Sequence, residues 1–114
     1  MHELGIVFSV LEAVNETAKE NDAKRVHAVT VGIGEVSTVV PELFADCWSW
    51  AVKKETVCKD AEIRIERLPA VTFCESCQKE YPTLEFGKIC PHCGSEKTVL
   101  SRGNEFIIKE IEVE

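Results

Sequence analysis

Four of the six cysteines form two closely spaced pairs. The pairs are C-E-S-C, with Cys74 and Cys77, and C-P-H-C, with Cys90 and Cys93, and twelve residues separate them. Two thiolates three positions apart can bind one ion from a tight turn, and two such turns supply the sulfur tetrahedron that Zn²⁺ prefers. Pairs at this spacing are poor disulfide frameworks. The spacing therefore predicts a structural zinc site rather than disulfides or thioredoxin-like redox chemistry.

The second pair has two further features. Gly94 directly follows Cys93, and a glycine there permits the left-handed conformation and lets backbone amides approach the sulfur. His92 lies inside the pair. It either replaces one thiolate, since Cys₃His zinc sites exist, or points to solvent while the four cysteines complete the ligand set. Cys47 has no close cysteine or histidine neighbour and is predicted to be a small buried side chain.

A second ligand set is available at the start of the chain, which reads Met1-His2-Glu3. The Met1 amine, the His2 amide and the His2 ring can close two chelate rings, and the Glu3 amide or carboxylate can supply a fourth position. Planar nitrogen coordination indicates Ni²⁺ or Cu²⁺. A helix that begins near Leu4 would leave these amides without intrahelical acceptors. On the residues alone, a histidine at the second position is more often a flexible terminal residue than a ligand, and His27 is predicted to be a solvated strand residue.

The hydrophobic pattern predicts the elements that position these residues. Residues 4–20 repeat apolar side chains at three- and four-residue steps and form an amphipathic helix. The β-branched segment from Val26 to Ile33 predicts a strand, and Pro41 begins a second helix. The predicted apolar face of this helix consists of Leu43, Phe44, Cys47, Trp48 and Ala51.

Two further strands surround the cysteine pairs in sequence. Ala61 to Leu68 alternates polar and apolar residues, and residues 105–113 form the last strand. On that strand Ile107, Ile111 and Val113 are predicted to lie on one side, and Phe106 and Ile108 on the other.

The predicted fold class is α+β. A domain of two helices and three strands, residues 1–69 plus 101–114, carries an inserted zinc-ribbon-like module at residues 70–100. The module has too few apolar residues to fold by burial alone, so metal binding must supply the missing free energy.

Composition and charge exclude several classes of function. The chain has 114 residues and a net charge of −7, and no segment is basic, which argues against nucleic-acid binding. No apolar stretch is long enough to span a membrane, and the N-terminus lacks the features of a secretory signal. Free thiols beside a thiolate metal site predict a cytoplasmic protein. We find no phosphate-binding loop, nucleophile–base pair or open catalytic zinc set, so we expect no enzymatic activity.

Three features together resemble the HypA/HybF family of nickel metallochaperones for [NiFe]-hydrogenase maturation. They are Met1-His2-Glu3 at the N-terminus, an amphipathic first helix, and C-x-x-C–x12–C-x-x-C-G between the last strands. The resemblance implies a nickel-binding α/β domain and a structural zinc domain. It places transported Ni(II) on Met1, His2 and Glu3. It places structural Zn(II) on the four cysteines, namely Cys74, Cys77, Cys90 and Cys93.

The resemblance also implies partners, which are a HypB-type GTPase and the [NiFe]-hydrogenase large subunit. Some relatives serve urease as well, which adds urease maturation proteins. Two other functions remain open on the residues alone. One is a zinc-ribbon protein-interaction module without a nickel role, and the other is a rubredoxin-like iron protein.

Overall fold

The computed structural model describes residues 3–114 as an elongated molecule of 54 × 26 × 17 Å with two three-stranded sheets. None of the helices in these residues has the length and hydropathy needed to span a membrane. The elements are α1 (Glu3–Glu20), β1 (Val26–Gly34), α2 (Pro41–Ala51), a 3-10 turn (Val52–Lys54), β2 (Glu62–Leu68), β3 (Val71–Cys74), β4 (Glu80–Pro82), α3 (Thr83–Phe86), β5 (Thr98–Arg102) and β6 (Phe106–Val113).

The first sheet has the strand order β2-β1-β6, with β2 parallel and β6 antiparallel to β1. The main core lies between this sheet and the helices α1 and α2, and it includes the fully buried side chains of Val7, Phe44 and Trp48. The Trp48 indole N–H donates a hydrogen bond of 2.8 Å to the Ala61 carbonyl oxygen, which satisfies its buried polar atom. The predicted α+β class is confirmed, and so is the start of α2 at Pro41.

The apolar face predicted for α2 is wrong in part. Phe44, Trp48 and Ala51 are buried, at four- and three-residue steps that match one face of a helix. Cys47 is partly buried and packs against the core, as predicted. Leu43 is 50% exposed, because it precedes the buried Phe44 by one position and lies on the neighbouring face of the helix.

A β-bulge in β6 changes which side chains reach the core. The pairing register with β1 shifts by one residue in the middle of the strand, and this inverts the alternation of faces. Ile111 therefore packs against the core together with Phe106 and Ile108. Ile107 and Val113 remain exposed. The predicted grouping of Ile111 with these two exposed residues is wrong.

The second sheet has the strand order β4-β3-β5 and is antiparallel throughout. Its buried cluster consists of Cys74, Tyr81 and Cys90, with Cys77 packed against it. This cluster holds no aliphatic side chain, so burial alone gives it little stability. The division of the chain at residues 70 and 100 stays a prediction.

Candidate metal centres

The side chains of the four paired cysteines converge on one point. Their sulfur atoms all lie within 4.8 Å of one another, with 3.6 Å between those of Cys74 and Cys93 and 3.6 Å between those of Cys77 and Cys90. Four sulfurs around one Zn²⁺, with bonds of about 2.3 Å, are about 3.8 Å apart. A disulfide requires about 2.05 Å. The arrangement fits a tetrahedral zinc site.

Two similar turns present these sulfurs. The Gln78 N–H donates to the Cys74 carbonyl oxygen and the Gly94 N–H donates to the Cys90 carbonyl oxygen, both at 2.8 Å. The residue after each pair is left-handed, with φ of 59° at Gln78 and 76° at Gly94. The predicted conformation of Gly94 is confirmed. The first turn places a glutamine in this sterically unfavourable region.

The thiols of Cys74 and Cys77 have pKa values shifted in opposite directions. The backbone N–H of Cys77 donates towards the Cys74 sulfur and lowers the pKa of Cys74 to about 7. Desolvation raises the pKa of Cys77 to about 12. A bound cation favours thiolates at all four positions, because metal binding to cysteine releases the proton. Such a site therefore suits a divalent ion that thiolates bind well.

The remaining histidine and cysteines near these elements have other surroundings. His92 is exposed, and its backbone N–H lies 3.4 Å from the Cys90 sulfur. Cys58 is fully buried, and its thiol donates to the Asn15 side-chain oxygen at 3.2 Å. The Asn15 amide in turn donates to the Glu55 carboxylate at 3.0 Å. Burial raises the pKa of Cys58 to about 11, so this thiol is a structural group.

The second predicted site is described only at Glu3, because Met1 and His2 lie outside the described residues. Glu3 is the first residue of α1, so its backbone N–H belongs to the turn that has no intrahelical acceptor. Its carboxylate accepts a hydrogen bond of 3.2 Å from the Val40 N–H. Val40 is the N-cap of α2, which has no side-chain cap of its own. Glu3 therefore ties the start of α1 to the start of α2.

The turn that follows β1 is hydrogen-bonded to one of the two chain segments that connect the sheets. The Glu35 N–H donates to the Leu68 carbonyl oxygen at 2.8 Å, and its carboxylate accepts from the Ala70 N–H at 2.7 Å. Leu68 ends β2 and Ala70 precedes β3. One residue thus fixes the chain where it leaves the first sheet for the second.

The same turn is also hydrogen-bonded to the second connecting segment, which returns from the second sheet to the first. The Val36 N–H donates to the Gly103 carbonyl oxygen at 2.9 Å, and the Gly34 N–H donates to the Glu105 carbonyl oxygen at 2.8 Å. A Cβ atom on Gly34 would lie 1.9 Å from the Gly103 oxygen, so this crossing requires glycine. The turn then continues to Val40. The cysteine module is therefore connected through short hydrogen bonds to the segment that contacts Glu3.

Sequence reasoning identified the four cysteines and Glu3, but it did not identify the roles of Val40 and Glu35. Val40 contributes a backbone N–H, which leaves no signal in its residue type. Glu35 directly follows Gly34 in the turn after β1, and this glycine is the signal that a close backbone approach occurs there.

The chain is similar to known proteins along its whole length. Residues 1–113 match the family model described as hydrogenase/urease nickel incorporation, metallochaperone, hypA. Hydrogenase maturation factor HypA from Geobacter metallireducens is 39% identical over 114 residues, which cover 100% of both chains. The Aquifex aeolicus factor of the same name is 37% identical over 114 residues, covering 100% of this chain and 98% of its own.

Two solved structures have the same fold as this chain. The solution structure of the Ni metallochaperone HypA from Helicobacter pylori superposes with a TM-score of 0.74 at 31% identity, covering 99% of this chain and 97% of that one. A second solution structure of a HypA protein gives a TM-score of 0.75 at 31% identity, with 99% and 96% coverage. The similarity therefore extends over both sheets.

Proposed function

Because the chain belongs to the HypA family of nickel metallochaperones for hydrogenase maturation, we propose that it carries one Ni²⁺ on Met1, His2 and Glu3. The Met1 amine, the His2 amide and the His2 ring supply three nitrogens, and Glu3 completes the set. The observation that supports this most is the position of Glu3 at the first turn of α1. A metal ion there displaces no helical hydrogen bond, because that amide has no acceptor within the helix.

The role of Glu3 is best served by its backbone amide. Its carboxylate already accepts the Val40 N–H, which anchors the first residue of α1 against α2. An anchored Glu3 has its backbone amide already positioned, which reduces the entropy lost when that amide binds the ion.

The second metal is structural. Cys74, Cys77, Cys90 and Cys93 would hold Zn²⁺ in a closed set of four thiolates, with no position left for a reacting water. This ion supplies folding free energy to a sheet whose own buried cluster is small. Neither metal is assigned a catalysed reaction, and the carrier acts by binding and transfer alone.

Transfer requires protein partners. A HypB-type GTPase and the [NiFe]-hydrogenase large subunit are the proposed ones, with urease maturation proteins as a further group. The chain has no phosphate-binding loop in its sequence, so nucleotide hydrolysis belongs to the GTPase. Thiolate metal ligands persist under reducing conditions, which supports the cytoplasm as the site of this exchange. The net charge of −7 argues against a role for nucleic acid.

Nickel titration of the untagged protein tests the terminal site. We expect the native chain to bind one equivalent, and both His2→Ala and a chain extended by two residues before Met1 to bind at least about tenfold more weakly, since each loses a chelate nitrogen or its geometry. His27→Ala is the matched control, because His27 is an exposed histidine on β1 and is not part of the proposed site. Equal affinity of all four proteins would overturn the terminal site and favour the zinc-ribbon interaction module.

A further inference from the structure

An apolar surface begins immediately beside the proposed nickel site. It is formed by partly buried or exposed side chains of α1, of α2 and of the residue before α2, and we call it the α1–α2 surface: Leu4, Phe8, Val40, Leu43, Cys47 and Trp50. Within residues 3–114 these side chains stay partly or about half exposed, with Phe8 at 49%, Leu43 at 50% and Trp50 at 48%. Large exposed apolar side chains gathered in one place mark interaction sites.

The members of the surface are contiguous. Leu4, Cys47 and Trp50 line one shallow cavity of about 250 Å³ between the two helices. Phe8 lies one turn beyond Leu4 on α1, and residues at that spacing share a helix face. Leu43 lies one turn before Cys47 on α2 for the same reason. The two helices therefore present a single apolar strip with a depression at its centre.

Acidic side chains border this strip. Asp46 lines the same cavity, and Glu42 and Glu12 are exposed on the flanks of α2 and α1. A lysine lies at one end, where the Lys54 ammonium is 4.1 Å from the centre of the Trp50 ring. Two copies of this surface would bring like charges together, which opposes self-association. A partner with apolar anchors surrounded by Lys or Arg would complement it.

The surface also has the position that metal transfer requires. Leu4 directly follows Glu3, and the Glu3 carboxylate is bonded to Val40, which is itself part of the surface. Metal–ligand bonds are about 2 Å long, so a receiving site must come into direct contact with the donor. A protein docked on the α1–α2 surface would hold its own ligands next to the N-terminus.

We propose that the α1–α2 surface is the docking site for the nickel-receiving partner, and that this partner inserts an apolar side chain from a basic patch into the depression at Leu4, Cys47 and Trp50. This inference rests on the proposed nickel-carrier function and names the surface through which it operates. The acidic border attracts the partner and sets its orientation, and the apolar strip supplies most of the affinity.

The test uses the intact, zinc-loaded protein and a purified HypB-type GTPase as the probe, with binding measured by calorimetry. Leu43→Glu places a charge in the strip at an exposed position in the first turn of α2, where an acid is compatible with the helix dipole. Leu84→Glu is the matched control, since Leu84 is 64% exposed on α3, within the cysteine module. Each variant is also titrated with nickel.

We expect Leu43→Glu to weaken GTPase binding by roughly tenfold or more, as for other central contacts, while Leu84→Glu changes it by less than about twofold. Asp46→Lys should weaken it as well, and raised salt should weaken the native complex. Nickel affinity should be unchanged in both leucine variants, which separates docking from carriage.

Three results would overturn the docking site. They are unchanged GTPase binding by Leu43→Glu, an equal loss in both leucine variants, or a native homodimer that Leu43→Glu dissociates. If the native chain binds nickel but no GTPase, the partner and the docking site both fail and the carrier function stands. If it binds the GTPase through this surface but no nickel at its N-terminus, the carrier function fails instead.

Discussion

The Glu3 carboxylate accepts a hydrogen bond from the Val40 N–H at 3.2 Å, and this bond joins the first turns of α1 and α2. Val40 caps a helix that begins with Pro41 and has no side-chain cap of its own. A carboxylate at a helix N-terminus satisfies an unpaired donor and interacts favourably with the helix dipole. A residue of the proposed nickel site thus also stabilises the second helix.

The two roles of Glu3 can be separated by substitution. Glu3→Ala removes the acceptor for Val40 and should destabilise the protein by about 1 kcal/mol, as for other lost N-caps. It should also weaken nickel binding several-fold, because the terminus is no longer anchored. Glu3→Gln keeps a side-chain oxygen for Val40 and should lose less stability and less nickel affinity than Glu3→Ala. Thermal unfolding and nickel titration measure these two quantities. A Gln variant that loses nickel as fully as the Ala variant would show that the carboxylate itself binds the metal.

Two glycines should respond in opposite directions to the same change. Gly34→Ala would place a Cβ 1.9 Å from the Gly103 carbonyl oxygen, so we expect a loss of about 3 kcal/mol or more in the free energy of unfolding. Gly5→Ala in α1 meets no atom within 4 Å and should raise it by about 0.5–1 kcal/mol, through helix propensity. Chemical denaturation measures both. A mild effect at Gly34 would mean that the turn after β1 is not fixed to the returning connection.

Loss of one zinc ligand should loosen one part of the chain. In Cys77→Ser or Cys90→Ser we expect residues 70–100 to become sensitive to protease, because the metal supplies the stability that their small core lacks. Much of α1 should remain folded, since its buried side chains pack on the first sheet. Zinc content and cleavage mapping test this together. Retained zinc and unchanged protease resistance in both variants would contradict the four-cysteine assignment.

Cys58 should contribute to stability in a pH-dependent way. Its pKa is raised from about 9 to about 11 by burial, so the folded protein favours the neutral thiol. This contribution is complete below pH 9 and is lost as the pH rises towards 11. Cys58→Ser keeps a donor for Asn15 but does not titrate there. As the pH rises from 9 to 11, the melting temperature of the native protein should fall relative to that of the variant. A constant difference would contradict the shift.

The sequence alone determined what depends on local spacing. Cysteines three positions apart can reach one ion whatever the rest of the chain does, so the four-cysteine cluster followed from the two pairs. The helical periodicity of α1 and the alternation of β2 also depend only on nearby residues, and they predict which side chains share a face. A proline at the first helical position marked the start of α2.

The tertiary structure decided what depends on contacts between distant segments. Trp48 and Trp50 lie on different faces of α2, but only packing against the sheet shows that Trp48 is buried and Trp50 half exposed. The bulge in β6, the bond from Glu3 to Val40 and the tie from Glu35 to Ala70 also join segments far apart in sequence. Two of these bonds use backbone donors, which every residue except proline carries. Residue type therefore cannot reveal them, and they appear only once the chain is folded.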